Sequence, residues 1–187
     1  KDVPEDYPFQ IPDTVWEVSV TSGETAKLEV ANGALAKIYI KKIAEKASED
    51  ETDTPLFGAE FDIYKDAACT IKVGSVGPTD KNGTASSTSF TKEKSTYYLK
   101  ETKAPDGYRI PVNSDGTDIV YEIYTKSDPQ KDLFEYYVNG KKYTDTTGDF
   151  AITGTKAERE VNLKVVNPIG MKMPETGSPW TAGILLA

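Results

Sequence analysis

The sequence predicts an all-β protein, an immunoglobulin-like antiparallel β-sandwich, on three observations. Its 187 residues include 11 tyrosines and many threonines and valines, types that suit a pleated, half-buried surface. Short stretches alternate apolar and polar side chains between Gly, Pro, Asn and Asp. No stretch keeps an apolar stripe at helical period.

The strands follow in order. Ile38, Ile40 and Lys42 share one face and begin the first strand. Pro55-Leu56-Phe57-Gly58-Ala59-Glu60-Phe61-Asp62-Ile63-Tyr64 reads as a turn and a second alternating strand. Thr79-Asp80-Lys81-Asn82-Gly83-Thr84 is a polar turn. Residues 97–101 and 120–124 are further strands. Asn139-Gly140, between residues 134–138 and 141–143, signals a hairpin with a type I′ turn, because that turn needs positive φ at both central positions. The last strand covers residues 160–166.

Two landmarks recur in the same order, as in tandem modules. Lys27-Leu28-Glu29-Val30-Ala31-Asn32 matches Asn162-Leu163-Lys164-Val165-Val166-Asn167, and Val3-Pro4-Glu5-Asp6-Tyr7 matches Ala104-Pro105-Asp106-Gly107-Tyr108. Residues 1–34 are therefore expected to be the final strands of a preceding module, residues 35–169 a complete module, and residues 170–187 a C-terminal extension. Asn32 would be the counterpart of Asn167 and, lacking reaction partners, would stay unlinked. The chain opens Lys1-Asp2-Val3-Pro4 with no Met and no apolar leader, so truncation is expected at this end as well as at the C-terminus.

Composition narrows the chemistry. A net charge of -8 argues against a nucleic-acid partner. With no His and Cys69 as the single Cys, the chain lacks the usual means for metal ligation, a Ser-His-Asp triad or an intrachain disulfide. No metal or cofactor is expected. Asn113, Asp115 and Gly116 faintly resemble a Ca²⁺ loop but lack its later Glu, and Asp115 and Asp118 read better as turn residues.

Alternation also exposes an anomaly. Ile38 and Ile40 carry Lys42 inward, Tyr97 and Leu99 carry Glu101, and Val161, Leu163 and Val165 carry Asn167. Buried charges are rare unless paired, so three polar residues in core-facing positions call for a reason. The plainer reading is a rim salt bridge between Lys42 and Glu101, with Asn167 capping a strand end. Lys37 and Lys41 are rival amines, but alternation places them on the opposite face.

These residues resemble a known family. Tyr98-Leu99-Lys100-Glu101-Thr102-Lys103-Ala104-Pro105-Asp106-Gly107-Tyr108 looks like the E-box of Gram-positive pilins and adhesins. Leu56-Phe57-Gly58-Ala59-Glu60-Phe61-Asp62-Ile63-Tyr64 is similar to the signature of the collagen-adhesin B-type (Cna-B) domain, and Asn167 ends the expected last strand. The resemblance implies a spontaneous isopeptide bond from Lys42 to Asn167, assisted by Glu101 as the catalytic residue. The chemistry is sound: apolar burial favours the neutral, nucleophilic amine. A Glu101 carboxyl holding the proton would donate to the Asn167 carbonyl while Lys42 attacks and ammonia leaves. The event occurs once per molecule, which makes it maturation and not enzyme turnover.

Met173-Pro174-Glu175-Thr176-Gly177, followed by the apolar Thr181-Ala182-Gly183-Ile184-Leu185-Leu186-Ala187, resembles the LPXTG cell-wall sorting signal, with Met173 in place of leucine. Pro174 favours an extended strip that fits a groove, whereas the bland alternative is a floppy tail. A bilayer span needs about 20 apolar residues, and only the start of one is present. In the family a sortase cuts after the Thr and passes its carbonyl to an amine. The resemblance thus implies a secreted, wall-anchored pilin subunit or adhesin stalk, joined through Thr176 to peptidoglycan or another pilin subunit.

Two other classes stay open. Residues 109–159 exceed what the simplest family members need, and Phe134, Tyr136, Tyr137 and Tyr143 would line a surface for a host matrix protein or glycan. The chain would also suit the spacer of a wall-anchored enzyme.

Overall fold

Alternating strands fold here into two sheets packed face to face, with no helix among the described residues. The computed structural model describes residues 9–10, 18–25, 33–88, 95–128, 131, 133–155 and 158–170. The strands are β1 (Phe9–Gln10), β2 (Gly33–Ala44), β3 (Glu60–Tyr64), β4 (Lys72–Val76), β5 (Thr84–Ser86), β6 (Thr96–Lys103), β7 (Val120–Asp128), β8 (Leu133–Val138), β9 (Lys141–Tyr143), β10 (Ile152–Gly154) and β11 (Glu158–Asn167). One sheet runs β1-β2-β11-β10 with β5 also on β2, and the other runs β4-β3-β6-β7-β8-β9.

The expected all-β sandwich is observed, and among the described strands every pairing but one is antiparallel. The exception joins β2 to the last described strand: β2 and β11 run parallel from Leu35 opposite Glu158 to Ala44 opposite Asn167. Chain entry and exit therefore lie at opposite ends of this central pair. Strand β2 begins at Gly33, where Phe9 and Gln10 pair with Ala34 and Gly33.

Between the sheets lie Ile38, Ile40, Phe61, Leu99, Ile123 and Leu163, each fully removed from solvent. Burying a side chain of this size stabilises the fold by about 1.5–3 kcal/mol. The Tyr136 ring crosses the same core, and its hydroxyl donates to the Asn162 carbonyl at 2.8 Å, tying β8 to β11.

The Asn139-Gly140 hairpin joins β8 to β9 with φ of 48° and 78°, as a type I′ turn requires. Strands β4, β5 and β10 carry no apolar alternation that would announce them: Lys72–Val76 holds Gly74 and Ser75, and the other two are three residues long. Residues 109–159 are not a separate insertion. They supply β7, β8, β9 and β10, which complete both sheets.

Candidate functional site

Strand β2 delivers Lys42 into the core because Ile38 and Ile40 hold that face against the opposing sheet. Loops fix its backbone from the side. The Lys42 N–H donates to the Gly83 carbonyl at 2.7 Å, and its carbonyl accepts from Leu56 N at 3.0 Å. Gly83 has φ +74°, and a Cβ there would run into the Lys42 carbonyl, so only glycine allows this approach. Asp80 shapes the turn by accepting from Asn82 N at 2.9 Å and Thr84 N at 2.8 Å. Buried Thr79 staples the neighbouring loop, donating to Leu56 O at 2.7 Å and accepting from Ala59 N at 3.0 Å.

Glu101 comes from the other sheet. It lies on β6 opposite Phe61 of β3, beside a shift of register between Glu60 and Phe61. Asn167 ends β11, and its carbonyl accepts from Glu45 N at 2.9 Å. The chain beyond it is tied to the loop after β6: Arg109 N donates to Pro168 O at 3.1 Å, and Gly170 N to Gly107 O at 2.9 Å.

Lys42, Glu101 and Asn167 meet. Lys42 Nζ donates to Glu101 Oε2 at 2.9 Å and to Asn167 Oδ1, while Asn167 Nδ2 donates to Glu101 Oε1 at 2.7 Å. Their exposures are 0%, 3% and 0%, which removes the rim salt bridge as a description: the trio is enclosed. The Phe61 ring lies 5.6 Å from Nζ. Tyr121 packs against the same core, its hydroxyl pushed up to about 12 by burial and then by the charge of Glu101.

Burial also lowers Lys42 to about 8, against the opposing pull of Glu101 through charge and hydrogen bond. Dehydrating an ion pair costs several kcal/mol per ion, recovered only where geometry and hydrogen bonds are good. Here each carboxylate oxygen has one donor, and the amine bridges carboxylate and carboxamide. Glu101 faces the Asn167 amide nitrogen, not the carbonyl oxygen that sequence reasoning gave it; the amine occupies that side. The arrangement therefore holds an amine against an amide carbonyl, with one carboxylate touching both the entering and the departing nitrogen.

The rival lysines face outward. Lys37 pairs with Glu158 at 3.0 Å and Lys41 with Asp53 at 3.5 Å. In the Asn113–Asp118 turn, Asp115 accepts from Thr117 N at 3.0 Å and Thr117 Oγ1 at 2.6 Å, so its oxygens shape the loop. The aromatic cluster divides. Phe134 and Tyr136 are in the core, and Tyr143 stacks between Tyr136 and Phe150 at 5.4 and 5.0 Å. Tyr137 faces outward beside Tyr124.

Met173, Pro174, Glu175, Thr176, Gly177 and Asn32 lie outside the described residues. Sequence reasoning did not single out Gly83 or Thr79. The Asn-Gly of the polar turn was the available signal for Gly83, but alternation says nothing about which strand a turn packs against.

No curated protein matches the chain. Similar solved structures include the C-terminal fragment of the pilus adhesin SpaC from Lactobacillus rhamnosus GG, at 16% identity and TM-score 0.38, covering 76% of this chain and 49% of that one. The T6 backbone pilin of serotype M6 Streptococcus pyogenes is 21% identical, with TM-score 0.38 and coverages of 71% and 34%. The pilus 2b backbone protein of group B streptococcus is 20% identical, with TM-score 0.40 and coverages of 81% and 47%. This chain thus spans half or less of the length of each. Over residues 38–123, from the middle of β2 to the middle of β7, the chain matches the family described as SpaA, prealbumin-like fold domain, and its all-β sandwich is similar to that fold.

Proposed function

We propose that this chain is a structural module of a Gram-positive surface protein, a pilin subunit or adhesin stalk of the Cna-B type, in which Lys42 and Asn167 become joined by an isopeptide bond. The observation that carries the reading is the enclosed contact of Lys42, Glu101 and Asn167. A buried ion pair is a poor source of stability by itself, and a carboxamide closing the triangle gives the pair a chemical use.

The balance is simple. Glu101 accepts a proton from Lys42 Nζ, the free amine attacks Asn167 Cγ, and a C–N bond forms. The proton held by Glu101 passes to Nδ2, 2.7 Å away, the Cγ–Nδ2 bond breaks to release ammonia, and Glu101 takes up the second proton that the attacking nitrogen sheds as it becomes an amide. Packing supplies the effective concentration that a catalyst would otherwise provide.

The link would close a loop across 125 positions, worth roughly 5 kcal/mol by the loop-entropy model. It would also suit a stalk. With β2 and β11 parallel, tension entering at the start of β2 and leaving after Asn167 passes through the amide at their far end, bypassing residues 43–166. Sortase attachment through Thr176 of the Met173–Gly177 segment would continue that line to peptidoglycan or another subunit and place the protein outside the cell.

Intact mass tests the reading. Folded chain should be lighter than its sequence by one ammonia, about 17 Da. Full mass in folded protein sinks the proposal.

A further inference from the structure

The outer face of the six-stranded sheet carries a row of tyrosines that neither the core nor the Lys42 site uses. Inward positions of β3, β6, β7 and β8 are held by Ile63, Leu99, Ile123 and Tyr136, so alternation turns Tyr64, Tyr98, Tyr124 and Tyr137 outward. Register aligns them. Tyr64 is directly opposite Tyr98, and Tyr124 is directly opposite Tyr137, with their rings 5.7 Å apart and inclined at 57°. Tyr98 faces Glu122 and Thr96 faces Tyr124, so Tyr98 and Tyr124 are diagonal neighbours, at a typical spacing of about 7–8 Å. The row crosses four adjacent strands, each about 4.8 Å from the next. All four residues are half-buried.

Charge decides what fits. The lysines bordering the row are paired: Lys72 with Asp62 at 2.7 Å, Lys103 with Glu60 at 2.8 Å, Lys100 with Asp118 at 2.5 Å, and Lys126 and Lys142 both with Glu135. Counted with the exposed carboxylate of Glu122 beside Tyr98, five carboxylates meet these five lysines, which leaves no net positive charge among them to draw an acidic polymer. The face offers π surfaces and carboxylate acceptors, with the Tyr64 and Tyr137 hydroxyls donating to Asp62 and Glu135. A pyranose ring has a planar C–H face attracted to the negative face of an aromatic ring, and its hydroxyl edges need such acceptors.

We infer that the row Tyr64-Tyr98-Tyr124-Tyr137 is a docking surface for an uncharged oligosaccharide, laid across the strands with successive sugars stacked on the tyrosines. This surface is separate from the Lys42 site, which points into the opposite face of the same sheet.

The full chain is titrated with cellohexaose, laminarihexaose, maltohexaose and chitohexaose, and with a heparin hexasaccharide as the acidic arm, following tyrosine ring NMR signals. At least one neutral oligosaccharide should give saturable shifts at these four rings. Tyr98→Ala and Tyr124→Ala should each weaken its Kd by about tenfold or more, with the thermal transition retained. Tyr98→Phe, which keeps the ring, should preserve binding. The inference is overturned by no response to any neutral probe, by response to heparin alone, by shifts elsewhere that the alanine variants leave intact, or by self-association through this face.

Discussion

Lys42 and Glu101 form an ion pair of 2.9 Å between strands of opposite sheets, and neither side chain reaches solvent beyond 3%. Asn167 closes the triangle from the strand parallel to that of Lys42. Three consequences of the proposed bond and one for the loop that frames the site can be measured.

Removing the carboxylate should stop the reaction. Glu101→Ala leaves Lys42 with no proton acceptor, so the variant should keep its full mass. Its stability in urea should fall by several kcal/mol, combining an unpaired buried charge with the loss of a cross-link worth roughly 5 kcal/mol. Glu101→Ala that still loses ammonia removes Glu101 from the mechanism.

The unlinked state should respond to pH. Asn167→Ala blocks the bond and leaves the Lys42 amine, whose folded value of about 8 lies below its ordinary 10.5. Between these values the unfolded chain binds a proton that the folded chain does not, so raising pH favours folding. Below about 8 both forms hold the proton and this contribution is flat. Asn167→Ala should therefore gain on the order of 3 kcal/mol from pH 8 to 10.5. The double variant with Lys42→Met should lack that rise in denaturant titrations.

Gly83 should control the yield. A valine there meets the Lys42 carbonyl and must adopt φ +74°, a conformation that costs a β-branched residue at least about 1 kcal/mol. Gly83→Val should shift β2 at Lys42 and leave a larger unlinked fraction by mass after refolding. Complete linkage at the wild-type rate would show that Lys42 does not depend on this contact.

Thr79→Val keeps the shape but deletes a donor and an acceptor at a site with 0% exposure. Leaving Leu56 O and Ala59 N short of partners should cost about 1–3 kcal/mol each at most. Thermal unfolding of Thr79→Val should occur several degrees lower, with the mass loss preserved.

The strands that frame the core were legible because a two-residue period sorts Ile38, Ile40 and Lys42 from Lys37 and Lys41 without knowledge of any neighbour. The same period marked Glu101 and Asn167 as inward, and the Asn139-Gly140 pair marked its turn through a local demand for positive φ. These are properties of consecutive residues, so the sequence determined them by itself. Other features depend on partners distant in the chain. That β2 and β11 run parallel, that Gly83 presses on Lys42, and that Glu101 faces the amide nitrogen all follow from packing. The aromatic residues make the same division: alternation separates Tyr136 from Tyr137, but only pairing across β3, β6, β7 and β8 aligns Tyr137 with three other tyrosines. Local chemistry chose which side chains turn inward; the tertiary structure decided which of them touch, because contact is set by strand register across 125 positions of chain.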